Sequence, residues 1–453
     1  MMPLPTEPTM SAAATTPSVK HHRWWIGVLL GSGILVNYFD RINLSVAAPQ
    51  LQEEFGLDAA QIGLLFSVFF WSYAVLQIPV GLVLDRVGVM PIGRISAALW
   101  SIATALTALA TGAGGIIAAR VLLGVAEAPA FPANAKATGY WFPRNERGLA
   151  TAIFDSAAKF SNVIGAPLVG LVVVNFGWRR AFWSMAVLNF TYFVLYYLFY
   201  RDPSADARLS PAEHDYIRAG GGAAEGAAPA GSGKMLGYLL STRKVWGLTI
   251  GFAAYGYSFA LFLTWLPGYL VRELHMSILG SAEYTAIPWA VATVTDLAIG
   301  GWLIDHLISR GNDETRVRKS VLVIGMLLGL AVFGAAFTER PVIAILWISI
   351  ALAGLAAAAP VGWSIPSLIA PRGGAGTVGG IMNFVNNLMG AVAPVVTGFI
   401  VGVTGSFSGA FLVAGIALVV GIFAYIVLLG PIEPVPEPVG GRGAATSDGA
   451  STV

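Results

Sequence analysis

The chain has 453 residues, of which 56% are hydrophobic and only 11% are charged, and its net charge at pH 7 is +2. Soluble globular proteins carry about 25% charged residues, so this composition indicates a polytopic membrane protein. The basic residues lie in loops and form no single patch, which gives no indication of nucleic-acid binding. The absence of cysteine excludes disulfides, thiolate metal sites and cysteine nucleophiles.

Apolar runs long enough to cross a bilayer fall into two groups of six along the chain. A transmembrane helix needs about 20 predominantly apolar residues. The first group lies at 24–48, 61–83, 94–112, 115–138, 148–174 and 179–200, and the second at 244–270, 282–308, 320–337, 341–368, 376–402 and 407–430. This spacing predicts an all-α polytopic membrane protein with twelve transmembrane helices in two six-helix halves.

Polar segments flank and separate the two groups. Residues 202–240 include GGGAAEGAAPAGSG, which is a flexible-linker composition. Just before it, LSPAEHDYIR predicts a short surface helix with Ser210 as N-cap and Glu213 closing a capping box. We therefore divide the chain into a disordered cytoplasmic tail (1–22), an N-terminal half (23–201), a cytoplasmic linker (202–240), a C-terminal half (241–430) and a second disordered cytoplasmic tail (431–453).

The placement of basic residues predicts the orientation of the chain in the membrane. If the N-terminus is cytoplasmic, most Lys and Arg residues lie in the inside loops and tails. The outside loops then contain only Arg179, Arg180, Arg272 and Arg340. Both termini and the linker are therefore expected on the cytoplasmic side.

One loop sequence occurs in both halves. GLVLDRVGVMPIGR follows the second apolar run and GGWLIDHLISRG follows the eighth, and each has Gly, then Asp four residues on, then a basic residue. Parallel six-span halves with a site between them are a transporter architecture. We expect these loops to form a conformational latch that biases two states. Its residues are Gly81, Asp85, Arg86, Arg94 and Asp305.

Charged residues of both signs fall within the predicted spans. A charge at membrane depth costs about 2.5–3.5 kcal/mol even on lenient insertion scales and is a functional candidate by default. The cations are Arg41, Arg120, Lys136 and Lys159, and the acids are Asp40, Glu127, Asp155 and Asp296. The balance of signs favours pairing over a pore lined by one sign.

The first span contains the sequence NYFDRINLS. Asn37, Arg41 and Ser45 share one helix face with Tyr38 beside them. The guanidinium of Arg41 suits a carboxylate bidentately, so Arg41, Tyr38 and Asn37 are candidate substrate-binding residues. Asp40 points about 100° away along the helix and is expected to find its partners on a neighbouring helix.

In the fourth span, Arg120 and Glu127 share a face, and Pro129 and Pro132 bend the helix. Glu127 is interpreted as a titrating carboxylate, with a buried ion pair that fixes helix register as the alternative. Arg120 is its candidate partner in a coupling network. A permanent network between Glu127 and Arg41, without a ligand, is the less favoured alternative for the first span.

The remaining candidates lie in the fifth, seventh, eighth and eleventh spans. Asp155 and Lys159 are four residues apart, which suits an internal salt bridge, although Lys159 is equally a candidate contact for a second anionic group. Tyr255 and Tyr257 are candidate cavity residues. Asp296 shows no obvious partner and is left as either a gate residue or a residue near the cytoplasmic end.

Two amides in the eleventh span, Asn383 and Asn387, share one helix face. They would either bind substrate hydroxyls or hydrogen-bond to neighbouring helices. The cations opposite them favour the first interpretation.

Several longer phrases make the chain resemble the major facilitator superfamily, and more narrowly its anion:cation symporter family. The phrases are YFDRINLSVAAP, RVLLGVAEAPAFPANAKATGYWFPRNERGLATAIFDS, GWRRAFW and FLTWLPGYL. The resemblance covers about residues 24–429 and implies the twelve-helix major facilitator fold. In sugar-acid members of the family, the acid of the Tyr-Phe-Asp-Arg motif and the Glu of the fourth helix take part in proton coupling, and the adjacent Arg binds the substrate carboxylate. Carried over, these are Asp40, Glu127 and Arg41.

The fifth span departs from the pattern of the sugar-acid carriers. Their phrase resembles FNSAQY, with a Gln that contacts substrate hydroxyls, whereas this chain reads FDSAAKF. Ala158 stands at the Gln, Lys159 follows it, and Asp155 replaces the Asn. The departure favours a substrate with fewer hydroxyls or with a second acidic group, such as an aromatic or dicarboxylic acid.

The resulting expectation is a secondary active transporter that imports a small organic anion with protons by alternating access across the bacterial inner membrane. It would work as a monomer in the lipid bilayer without a cofactor or metal, driven by the proton gradient. Alternatives are an anion antiporter or facilitated exporter and, less favoured, a transport-fold anion sensor. An enzyme is not expected, because no catalytic constellation is visible and all histidines lie at ends or in loops: His21, His22, His214, His275 and His306.

Overall fold

The computed structural model describes residues 21–143, 146–222, 225, 233–371 and 374–437. Residues 1–20 of the first predicted tail (1–22), residues 438–453 of the second (431–453) and most of the glycine-rich part of the predicted linker lie outside these residues. Within the described part, eleven helical stretches are long and apolar enough to cross a bilayer. The remaining predicted span is α1 (His22–Phe55), which has 34 residues but is less apolar, because it contains Asn37, Asp40, Arg41 and Asn43.

The N-terminal half is an antiparallel bundle that begins with α1. Its other helices are α2 (Ala59–Val87), α3 (Val89–Leu109), α4 (Ala113–Glu127), α5 (Ala130–Trp141), α6 (Arg147–Phe176) and α7 (Trp178–Phe199). The fourth predicted span is divided between α4 and α5 because Pro129 and Pro132 each lack the amide that an unbroken helix would use. The carbonyl of Ala128, which loses the Pro132 donor, instead accepts a hydrogen bond from Gln77 Nε2 at 3.4 Å.

The segment between the halves and the C-terminal half are also helical. The helices are α8 (Pro211–Ala219), α9 (Gly233–Leu240), α10 (Arg243–Arg272), α11 (Ile278–Thr295), α12 (Ile304–Ser309), α13 (Glu314–Gly329), α14 (Val332–Ala335), α15 (Pro341–Ile369), α16 (Ala375–Thr404) and α17 (Ser408–Phe423). Two π-helical segments interrupt this order. Asp296–Leu303 joins α11 to α12, and Ala424–Leu428 follows α17. Short π-helical insertions in α-helices are frequent at functional sites.

The halves pack together mainly through α2 with α16, α6 with α11, and α1 with α10. The contacts are closest at the end of the bundle away from the chain termini. A Cβ atom at Gly63 would lie 2.4 Å from the carbonyl oxygen of Pro394, and one at Gly398 would lie 2.4 Å from that of Ala59. Toward the termini, by contrast, nothing lies within 4 Å of a Cβ atom at Gly376 or Gly380. The two halves are therefore closed against each other at the distal end.

The helix predicted within residues 209–218 forms as α8, with Ser210 as its N-cap, but its predicted capping box is wrong. Ser210 caps α8 by accepting from the Glu213 amide. The Glu213 carboxylate points to another helix, where it accepts from the His22 and Arg23 amides at 3.1 Å each and from Arg23 Nη1 at 2.8 Å. Because these amides are among the unpaired donors at the start of α1, Glu213 caps that helix instead of its own. The first part of the predicted linker is thus docked against the N-terminal half.

Candidate functional site: buried charges in and between the two halves

Asp40 lies inside the N-terminal half and is 1% exposed. Its Oδ1 accepts from Thr104 Oγ1 of α3 at 2.9 Å, and its Oδ2 accepts from Asn189 Nδ2 of α7 at 2.7 Å. Asn189 also donates to Thr104 Oγ1 at 3.0 Å. The carboxylate is therefore held by two neutral donors. Sequence reasoning missed both partners, although an Asn within an apolar run was a signal that was available.

Arg120 contacts the backbone of Asp40 and not its carboxylate. Its Nη1 donates to the Asp40 carbonyl oxygen at 3.4 Å, and its guanidinium carbon lies 4.9 Å from the centre of the Phe69 ring. Among the described residues, no hydrogen bond or ion pair joins Arg120 to Glu127, its candidate partner on the same face. Arg120 belongs to the buried network, but its direct partner is the backbone of α1.

Arg41 is bound to Glu127, a fully buried residue of α4. Arg41 Nη2 lies 3.3 Å from Glu127 Oε2 and donates to Asn37 Oδ1 at 3.1 Å. Glu127 Oε1 has no hydrogen-bond partner among the described residues. With 8% exposure, Arg41 is the most accessible of the four charged residues in this network. The arrangement matches the Arg41–Glu127 network that the sequence interpretation treated as the less favoured alternative.

Aromatic rings surround the guanidinium of Arg41. Its carbon lies 4.5 Å from the ring centre of Tyr38, 4.7 Å from that of Phe69 and 5.5 Å from that of Tyr73. Rings at these distances attract a cation through their quadrupole and hold it in place. The rings from α2 were not predicted, since nothing local in that apolar run marks them as facing Arg41.

Lys159 forms a second charge cluster, which crosses between the halves. Its Nζ lies 2.9 Å from Asp155 Oδ2 on the same helix and 3.1 Å from Asp296 Oδ1 in the C-terminal half. Lys159 is 4% exposed and Asp296 is 3% exposed. The salt bridge along α6 is thus present, and Asp296, which showed no partner in the sequence, has Lys159.

Two predicted tyrosines of α10 have different surroundings. The charged neighbours of Tyr255 are Lys159, Asp155 and Asp296, so its hydroxyl end lies near the second cluster. Tyr257, two residues on, lies about 200° around the helix and neighbours Thr397 of α16. The structure brings Tyr255 to the charged region and leaves Tyr257 in the packing of the C-terminal half.

The predicted amides of α16 bond to protein groups in this structure. Asn387 Nδ2 donates to the backbone and side-chain oxygens of Asn383 at 2.9 Å each. Asn383 Nδ2 in turn donates to Gln77 Oε1 of α2 at 3.3 Å. This is the second of the two interpretations, hydrogen bonding to a neighbouring helix, and it joins the two halves.

The structure describes the side chains of only some of the predicted latch residues. The side chains of Asp85 and Asp305 lie outside the described part, and nothing lies within 4 Å of a Cβ atom at Gly81. Arg86 is exposed. Arg94 donates to the Tyr197 carbonyl at 3.3 Å and stacks on the Tyr197 ring within its own half. No group of three or more His, Asp or Glu residues in the described ranges could hold a metal ion.

Comparison with known proteins gives a family and a fold. The model of the Major Facilitator Superfamily matches residues 30–394. The chain is 43% identical over 416 residues to the "Uncharacterized transporter YybO" of Bacillus subtilis (strain 168), covering 92% of this chain and 96% of the relative. It is 33% identical over 446 residues to the "Probable galactarate/D-glucarate transporter GudP" of Escherichia coli (strain K12), covering 95% and 99%.

One similar solved structure is a bacterial homologue of the human lysosomal transporter Spinster in an inward-facing and occupied conformation. It superposes with a TM-score of 0.72 at 17% identity, covering 91% of this chain and 97% of that chain. At this identity the likeness concerns the fold.

Proposed function

The chain belongs to the Major Facilitator Superfamily and is a multi-pass membrane transporter of organic acids, and from that premise we propose that it moves a small organic anion together with protons. Transport would proceed by alternating access, with the anion bound between the two halves. The galactarate/D-glucarate transporters among its relatives support a carboxylate as the recognised group.

The observation that carries the proposal is the network of Asp40, Arg41, Arg120 and Glu127 inside the N-terminal half. It contains two acids and two cations, all of them buried. A buried carboxylate is tolerated when it is paired or protonated. Asp40 has only neutral side-chain donors, and Glu127 shares its cation with Asn37. Both acids are therefore suited to gain and lose a proton as their surroundings change.

The contact between Arg41 and Glu127 provides a coupling mechanism. While Glu127 is ionised it occupies Arg41. Protonation of Glu127 removes the competing negative charge, so the guanidinium becomes available to a substrate carboxylate. Binding of the anion then favours the protonated form of Glu127, because two anions competing for one cation repel each other. Anion and proton are thereby bound together.

Alternating access requires that the closed contact at the distal end opens while the other side closes. The close helix packing at Gly63 and Gly398 permits this, because small residues let two backbones separate and meet again without interlocked side chains. We assign the distal side to the outside of the bacterial inner membrane, with both termini in the cytoplasm and a monomer as the working unit.

Uptake into proteoliposomes tests the proposal. The purified chain is reconstituted, and accumulation of labelled D-glucarate is followed with and without an inwardly directed proton gradient. We expect accumulation only with the gradient, together with acidification of the lumen. Uptake that is indifferent to the gradient would contradict proton coupling, and accumulation driven by an outward gradient would indicate an antiporter.

A further inference from the structure

The cluster of Asp155, Lys159 and Asp296 holds more negative than positive charge. One ammonium group serves two carboxylates, and both Lys159 and Asp296 are almost fully buried. Asp155 retains 22% side-chain exposure, so water reaches part of that carboxylate. Asp296 has no such access, and Lys159 supplies its ionic contact.

The bond between Lys159 and Asp296 has poor geometry. Asp296 Oδ1 lies 3.1 Å from Nζ, yet this oxygen has no well-directed hydrogen bond among the described residues. Asp296 is also the first residue of the π-helical segment that links α11 to α12. Such segments are frequent at functional sites. Asp296 is therefore a partner that Lys159 can exchange.

The second cluster adjoins the Arg41 network. Tyr38 has Arg41 and Glu127 as charged neighbours and also Asp155 and Lys159. The centre of the Tyr38 ring lies 4.5 Å from the Arg41 guanidinium carbon, and α1, which carries it, packs along α6, which carries Asp155 and Lys159, so that Tyr38 is within electrostatic range of both clusters. An anion bound to Arg41 along this ring would have its other end near the ammonium group of Lys159.

We propose that Lys159 binds the second acidic group of a dianionic substrate, while Asp296 gives up Lys159 and takes a proton from the solvent that enters with the substrate. The substrate class is a small molecule with an acidic group at each end. The inference rests on the proposed function and deepens it. If the inference is correct, transport of a dianion carries one more proton than transport of a monoanion. The salt bridge between the halves is then replaced by a contact between Lys159 and the substrate.

The groups around Asp296 allow this exchange. On α6 they are Asp155 and Lys159, and on α10 the titratable group is Tyr255. Helix α15, which packs against the π-helical segment, contains no titratable residue. The other helices that pack against the segment are α11, which carries Glu283 and Tyr284 near its opposite end, and α12, which carries Asp305 and His306. Protonation of Asp296 after Lys159 has turned to the substrate therefore leaves Asp296 itself without an unpaired charge.

Matched pairs of ligands test the proposal in the full-length purified chain. Binding of D-glucarate and D-gluconate, and of phthalate and benzoate, is measured by titration calorimetry. In at least one pair the dianion should bind about tenfold more tightly than the monoanion, as expected for one added charged hydrogen bond. Lys159→Gln should bring that ratio close to one, and Lys159→Arg should restore most of it.

Lys136→Gln is the matched control, because Lys136 is another lysine of the bundle and donates to the Leu84 carbonyl, away from the second cluster. It should leave the ratio unchanged. An unchanged ratio in Lys159→Gln, or no preference for a dianion in the unmodified chain, would overturn the inference.

Asp296→Asn provides a second test that does not depend on losing the lysine. With no salt bridge to break, the dianion should bind several-fold more tightly, and the number of protons taken up per dianion should fall by one. Weaker dianion binding with unchanged proton uptake would contradict the exchange.

Proteoliposome uptake distinguishes a failure of this inference from a failure of the proposed function. If monoanions and dianions both move without regard to the proton gradient, proton coupling itself is wrong. If both are driven by the gradient while Lys159→Gln keeps the dianion preference, only the role of Lys159 is wrong.

Discussion

The two halves share a helical plan but differ in the charge that they bury. Among the described residues, the buried charged side chains of the N-terminal helices are Arg23, Asp40, Arg41, Arg120, Glu127 and Lys159, whereas the buried charged side chain of the C-terminal helices is Asp296. The C-terminal half otherwise offers amides and tyrosine hydroxyls toward the interface. Under the proposed function, this difference would assign proton and anion chemistry to the first half and would make the second half the surface against which it moves.

The strongest test of this asymmetry is Asp40→Asn. We expect gradient-driven accumulation to be lost, because an amide cannot carry the proton. Exchange of labelled for unlabelled anion across the membrane should continue, since Thr104 and Asn189 can still bond to the amide once Asn189 turns to present its oxygen. The measurement is accumulation compared with counterflow in the same proteoliposomes.

The matched control for this variant is Asp215→Asn, at a side chain that is 84% exposed. It should accumulate anion as the unmodified chain does. Full accumulation by Asp40→Asn would remove Asp40 from coupling and weaken the contrast between the halves.

Arg41→Lys is expected to have the next largest effect. Lysine retains the charge but loses the planar fork that contacts Asn37, Glu127 and a substrate carboxylate. Anion affinity should fall about tenfold, as expected for one lost charged hydrogen bond. Titration calorimetry measures it, with Arg340→Lys, at an exposed loop position, as the control. Unchanged affinity would leave Arg41 with a structural role.

The contact between Asn383 and Gln77 tests the supporting role of the C-terminal half. A double-mutant cycle with Asn383→Ala and Gln77→Ala should give a coupling of about 1 kcal/mol in thermal unfolding, the usual net worth of one hydrogen bond. Anion affinity should change less than in Arg41→Lys. A larger loss of affinity in Asn383→Ala would instead show that the amide binds the transported anion, and that both halves take part in anion binding.

The smallest expected effect concerns the face at which the termini lie. There the N-terminal half is joined to the linker by the contact of His22 with Asp206 and by the ion pair of Arg23 with Glu213, and Arg23 also pairs with Glu146 in the loop before α6. Burial alone would raise the pKa of Asp206, but the hydrogen bonds from Arg208 and His22 outweigh it and lower this pKa to about 2. The hydrogen bond from Arg23 likewise lowers the pKa of Glu146, against a smaller opposing effect of burial.

Because these pKa values are lowered in the folded state, the stabilisation is complete at neutral pH and is lost as the pH falls from about 4 toward 2. Asp206→Asn should reduce the free energy of unfolding at pH 7 by less than about 1 kcal/mol. The difference from the unmodified chain should shrink as the pH is lowered, which thermal unfolding at pH 7, 5 and 3 would measure. A difference that stays constant with pH would indicate that packing, and not charge, docks the linker.

The family, the all-α fold and the transporter class were predicted from the sequence, and the comparisons confirm them. These properties follow from features that a short stretch of chain carries by itself. An apolar run of sufficient length must be a helix in lipid, because its backbone groups have no other partners there. A charge within such a run is visible without knowledge of its surroundings, which is why Asp40, Arg41, Glu127 and Lys159 stood out.

The pairing of these charges depends on the tertiary structure. Which side chain meets Asp40, whether Arg41 turns to Glu127, and where Asp296 finds a cation all depend on the rotation and tilt of helices far apart in sequence. The capping box at Glu213 shows the same limit, since its spacing was right but the Glu213 carboxylate bonds to donors at the start of α1 instead. The sequence by itself determined which residues carry charge into the membrane. Only the packing of the helices decided which of them bind each other, because local periodicity holds no information on the neighbouring helix.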